Sequence, residues 1–95
     1  MVRQFGVVAA PLLATMRAKT RDSDPDAVWR AAHSLKSSAS AIGARRVSQC
    51  CEEIETLARD NGVLPPEALL SSLEAEVAAV TGDLNRLVSA EQGAA

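Results

Sequence analysis

Ser23-Asp24-Pro25-Asp26-Ala27-Val28-Trp29-Arg30-Ala31-Ala32-His33-Ser34-Leu35-Lys36-Ser37-Ser38-Ala39-Ser40-Ala41-Ile42-Gly43 reads as one helix with its own start and stop signals. Ser23 and Asp24 offer capping oxygens, Pro25 suits a first turn, and Asp26 faces the positive end of the helix dipole. Gly43 is a natural residue for the left-handed stop that ends many helices. The spacing predicts a helix over 24–42. At about 100° per residue, Val28, Ala31, Leu35, Ser38, Ala39 and Ile42 gather on one pole. Trp29, Arg30, Lys36, Ser37 and Ser40 cluster around His33 on the opposite pole.

Working outward, three more segments carry a helical period. Residues 1–21 hold Phe5, Val8, Leu12, Leu13 and Met16 as an apolar set, interrupted by Pro11. Proline is costly inside a helix but welcome at its start, so a short or kinked leading helix restarting near Pro11 is expected. Residues 44–61 carry Val47, Cys50, Cys51, Ile54, Leu57 and Ala58, and Asn61-Gly62 closes them. Pro65-Pro66-Glu67 opens a fourth helix over 66–89, with Leu70, Leu73, Val77, Val80, Leu84 and Leu87 at alternating steps of three and four. The tail from Glu91 to Ala95 reads as frayed. Short links between amphipathic helices imply antiparallel neighbours. The expectation is a single all-α domain over 1–95, an up-down four-helix bundle.

Composition supports this and removes several function classes. Of the 95 residues 47% are hydrophobic but only 2% aromatic, a balance that suits helices packed by small aliphatic side chains rather than strands. A net charge of -2 gives no global attraction to nucleic acid or to an anionic membrane. No apolar run reaches a membrane span, and residues 1–4 carry no convincing signal peptide. Cys50 and Cys51 are adjacent, a separation that does not suit a disulfide, and a single histidine is too few for a zinc site built with them. They read as small apolar residues in a reducing, cytoplasmic setting, and no metal site is expected.

His33 is the only histidine in the chain and sits at the centre of the outward face. A core histidine belongs on the apolar stripe, and this one lies opposite it. No acid stands at i±3 or i±4 to serve as a base on the same helix, although another helix could supply one. An exposed neutral imidazole is a competent nucleophile near neutral pH. A phosphoryl group placed on it would sit beside Lys36, a pairing worth on the order of 1 kcal/mol in a solvated site. Ser37 and Ser40 leave room for another protein to approach, and Trp29 and Arg30 offer docking contacts, Trp29 equally being a partly buried packing residue. From the wheel alone, an ordinary solvated histidine is the commoner case.

The string Ala32-His33-Ser34-Leu35-Lys36-Ser37-Ser38-Ala39, continuing to Ile42-Gly43-Ala44, resembles the signature of histidine phosphotransfer domains, approximately A-H-x-L-K-G-[SA]-[SA] followed by L-G-A. Cys51-Glu52-Glu53-Ile54-Glu55-Thr56-Leu57-Ala58-Arg59 is similar to that family's C-x-x-L-E-x-x-A-R. The resemblance implies a phosphorelay carrier without kinase or hydrolase activity of its own. His33 would be phosphorylated, Lys36 would neutralise the phosphate, and Gly43-Ala44 would mark the bend between the central helices. The partners implied are receiver domains of response regulators or hybrid histidine kinases, with any magnesium held by the receiver and no cofactor here. A monomer is the default expectation. Ser37 stands where the family usually has glycine, which implies altered kinetics or partner preference rather than loss of function, or, the slightly preferred reading, a site that simply tolerates serine.

Three other readings stand beside this one. The dimerisation helices of histidine kinases resemble H-[ED]-x-x-x-P, whereas Ser34 follows His33 and no proline follows within that helix. An adaptor bundle whose histidine is never phosphorylated would share the fold. The chain would also suit the C-terminal phosphotransfer domain of a hybrid sensor kinase.

Overall fold

The computed structural model describes the backbone of residues 2–93 and the side chains of residues 5–82. Four helices follow one another: α1 (Val2–Arg21), α2 (Pro25–Ala41), α3 (Arg45–Glu55) and α4 (Glu67–Gly93). A π-helical turn, Thr56–Asp60, extends α3. Each helix packs on the next, and α1 meets α4 to close the ring. The all-α four-helix bundle is therefore as expected.

The predicted signals set the α2 boundaries. Asp24 is the N-cap and accepts a hydrogen bond from Ala27 N at 3.2 Å, with Pro25 in the first turn. Gly43 adopts φ +75°, the left-handed conformation that a side chain would disfavour. Val28, Ala31, Ala32, Leu35 and Ala39 are buried along this helix. Ala32 was not among the expected inward residues. Conversely Ile42, expected on the apolar pole, is 38% exposed, because α2 ends one residue before it and the chain turns away from the core.

The break expected at Pro11 does not divide the N-terminal segment: α1 is one helix of 20 residues running through it. Proline removes the hydrogen bond to the Val7 carbonyl, but Val7 and Pro11 lie on the exposed face, where that carbonyl is open to solvent. Continuity also fixes which residues face inward. Phe5, Ala9 and Met16 are buried at helical spacing, with Leu12 and Leu13 packed partly against them. Val8, one residue off that stripe, is 39% exposed rather than in the core.

Val47, Cys51, Ile54 and Ala58 complete the core from the third segment, and Leu70, Leu73 and Val77 from α4. Cys50 is only partly buried, as are Leu57 and Val80. Leu84 and Leu87, expected on the same seam, lie outside the described side chains, and residues 94–95 lie outside the described backbone. Helix α4 nevertheless continues past the predicted end at 89 to Gly93, through the helix-compatible Ala90-Glu91-Gln92. Its 27 residues span about 40 Å, so α1 and α4 outreach the shorter central pair and the molecule measures 51 × 20 × 19 Å.

A polar clasp fixes α1 against α4. Arg17 donates from Nε to Glu74 at 2.6 Å and from Nη1 to Glu67 at 2.8 Å, and Ser71 donates to Glu67 at 3.0 Å. These hydrogen bonds hold the carboxyls of Glu67 and Glu74 below their ordinary range. A depressed folded-state pKa contributes stability above the unfolded value, and the contribution disappears as pH falls through the folded value. Arg17→Met should therefore lower Tm at pH 7. The gap between mutant and wild type should close as the pH drops below the range in which Glu67 and Glu74 titrate, measured by thermal melts across pH.

Candidate functional site

Helix α2 carries His33 at mid-length, with its side chain 56% exposed, as the wheel predicts. Facing it across the α2–α3 interface is Glu55, whose side chain is only 2% exposed. His33 Nδ1 lies 3.4 Å from Glu55 Oε2. That is the long end of an N–H···O bond, but the partner leaves one reading of it. A carboxylate only accepts, so this contact favours the neutral tautomer with hydrogen on Nδ1. The Nε2 lone pair is then free.

Glu55 serves three cationic or potentially cationic groups at once. Lys36 Nζ stands 3.0 Å from Oε1, and Arg59 donates from Nη1 to Oε2 at 3.4 Å. The lysine lies off the hydrogen-bonding direction, so Oε1 has a counter-ion but no hydrogen-bond donor among the described residues. A buried carboxylate is expensive without such compensation, and removing a partner of a buried pair typically costs about 3–5 kcal/mol. Lys36 and Arg59 bring two cations to one buried carboxylate beside an exposed imidazole, with Asp60 also accepting from Arg59 Nε at 3.0 Å. Donors on both side chains can turn toward an incoming anion.

Helical phase explains how an acid comes to be buried here. Val47, Cys51, Ile54 and Ala58 define the inward stripe of the third segment, and Glu55 lies about 70° from its centre at 100° per residue. Glu52 and Glu53 fall about 130° away by the same rule and are exposed. Glu55 is a candidate site residue that reading α2 alone misses. The α3 wheel would have singled it out, and the sequence could not show that its edge of α3 meets the His33 edge of α2. The centre is accordingly larger than His33 and Lys36, since Glu55 and Arg59 belong to it. Immediately after Glu55 the helix widens into the π-helical turn, closed by Asn61 Nδ2 donating to Thr56 O at 3.2 Å. Such turns are frequent at functional sites.

The remaining predicted residues divide by position. Trp29, one turn before His33, is partly buried and meets the imidazole edge-on, with ring centroids 6.4 Å apart and planes at 75°. Its Nε1 donates to Asp26 at 3.0 Å, and Arg30 pairs with the same aspartate at 3.0 Å. Ser37 is exposed one turn after His33 and makes no side-chain hydrogen bond among the described residues. Ser40 lies farther along and shares a 3.1 Å hydrogen bond with Ser48 of α3. The imidazole is thus walled by an indole on its N-terminal side and flanked by small residues on the other. Among the described residues no cluster of His, Cys, Asp or Glu could hold a metal ion. None of their helices is long and apolar enough to cross a membrane.

Comparison with known proteins matches a family model described as "Hpt domain" to residues 1–83. No curated protein and no solved structure matches the chain.

The tautomer argument is directly measurable. Imidazole ¹⁵N shifts near pH 8 should report hydrogen on Nδ1 in the wild type. Glu55→Leu should move His33 toward the Nε2-protonated form, and unchanged shifts would remove Glu55 as the tautomer-setting group.

Proposed function

The chain belongs to the Hpt domain family, and from that premise we propose that it carries a phosphoryl group on His33 between receiver domains of a phosphorelay. The observation that supports this most is the exposed imidazole whose Nδ1 faces buried Glu55, with Lys36 held on the same carboxylate.

In this reading a receiver bearing an aspartyl phosphate docks over α2. The Nε2 lone pair of His33 forms the new N–P bond as the P–O bond to the aspartate breaks, and the carboxylate leaves without needing a proton. The imidazole becomes cationic, and Glu55 faces the positive charge that develops at Nδ1–H. Lys36, 31% exposed, can offer its ammonium to the phosphoryl oxygens while remaining near Glu55. Return transfer to a second receiver runs the same steps backwards. A loose transition state asks the carrier mainly for alignment and charge compensation, which a rigid helix supplies. Magnesium belongs to the receiver in this scheme.

Docking makes use of the open side of the imidazole. The small exposed residues Ser37 and Ser40 admit a partner surface, whereas Trp29 and Arg30 border the approach. Serine in place of glycine at position 37 adds one hydroxymethyl group on an exposed face. This accords with a change in rate or partner choice rather than loss of transfer.

Incubation with an aspartyl-phosphorylated receiver should give acid-labile, base-stable label on the wild type and none on His33→Gln. Lys36→Ala should slow the transfer severalfold, about the loss of 1 kcal/mol of charge compensation. Absence of label with a panel of receivers would favour an adaptor bundle, and label from ATP alone would point to kinase activity.

A further inference from the structure

Trp29 is the one aromatic residue at the site besides His33, and its environment is more constrained than a docking residue requires. Two guanidinium groups, those of Arg30 and Arg59, lie over its ring at 5.8 Å from the centroid. They reach it from different directions in the chain. Arg30 is its neighbour on α2, tied to Asp26, and the same Asp26 accepts the indole N–H. Arg59 comes from the π-helical turn after α3. Asp26 therefore orients the indole, and the indole provides a fixed platform for a cation from another element.

Arg59 has three holds. Its guanidinium carbon lies over the Trp29 ring within cation–π range, its Nε donates to Asp60 at 3.0 Å, and its Nη1 reaches Glu55 Oε2 at 3.4 Å. The same Glu55 oxygen lies 3.4 Å from His33 Nδ1. An arginine side chain 46% exposed would otherwise spread over many rotamers in solvent. Lying over an indole restricts it while leaving part of its planar fork of donors free to turn toward an anion.

We propose that Trp29 is a positioning residue: it holds the Arg59 guanidinium beside His33, so that a second cation besides Lys36 is in place when the phosphoryl group arrives. The inference rests on the phosphocarrier reading above and deepens it. Trp29 then acts through Arg59 on the reaction at Nε2, whichever partner supplies the phosphoryl group. A residue that only touches the receiver would matter with receivers alone.

The distinction can be tested with a donor too small to have a docking surface. Phosphoramidate transfers its phosphoryl group as the Nε2–P bond forms and its own P–N bond breaks, releasing ammonia. Trp29→Leu and Trp29→Gln should slow labelling of His33 by phosphoramidate about three- to tenfold, the range expected for one cation–π contact, and Trp29→Phe should stay nearer to wild type. Arg59→Gln should slow it similarly, and the double variant Trp29→Leu/Arg59→Gln should be no slower than Arg59→Gln alone. In the folded wild type the Arg59 Nε–H proton should show an indole ring-current shift that Trp29→Leu abolishes and Trp29→Phe partly retains. Wild-type rates for both ring-less variants would overturn the proposal, as would additive effects in the double variant or slowing seen only with receivers. If wild-type His33 takes no label from phosphoramidate or from any receiver, the phosphocarrier reading itself fails and takes this inference with it.

Discussion

A carboxylate buried between two helices must be neutralised by what surrounds it, and at Glu55 that requirement shapes the whole site. The group is almost fully shielded from water, yet touches His33, Lys36 and Arg59. Satisfying it draws two side chains of α2 and one from the turn after α3 to a single point. It thereby ties the two central helices together at this point, favours hydrogen on the imidazole nitrogen that faces it, and gathers two cations beside His33. Replacing Glu55 by an apolar residue would fill the same space without defining any of these three things.

The bundle supplies the rigidity that such an arrangement needs. Small buried residues on α2 (Ala31, Ala32 and Ala39) let its neighbouring helices approach closely, and Val28 and Leu35 join them in the core. Long α1 and α4, clasped by Arg17, brace this pair from behind. The face left open is the one bearing His33, Ser34, Ser37 and Ser40. The exposed imidazole and the packed stripe occupy opposite sides of one helix, so His33 can be presented to a partner without disturbing the core.

Where the sequence reading and the structure part, the reason is physical in each case. Pro11 looked like a break, but its unsatisfied carbonyl partner lies on the solvent side, where the missing hydrogen bond costs least. Ile42 looked inward by phase, but phase has no meaning once the helix has ended. The third segment kept its expected length while its last turn widened, a change that hydrophobic spacing does not encode. Trp29 was legible as a neighbour of His33. Its role as platform for Arg59 was not, because that contact joins residues 29 and 59 across two elements.

The sequence by itself determined the four helices, the caps and glycine stop of α2, and the outward placement of His33 with Lys36 one turn away. These follow from local rules: the 3.6-residue period, the capping oxygen of Asp24, and the conformational freedom of Gly43. Only the tertiary structure decided that Glu55, rather than Glu52 or Glu53, is the acid that meets the histidine, and that Arg59 joins it. Those facts depend on the rotation and register of α3 against α2. That register is set by the fit of Val47, Cys51 and Ile54 into the shared core, which no window along a single helix contains.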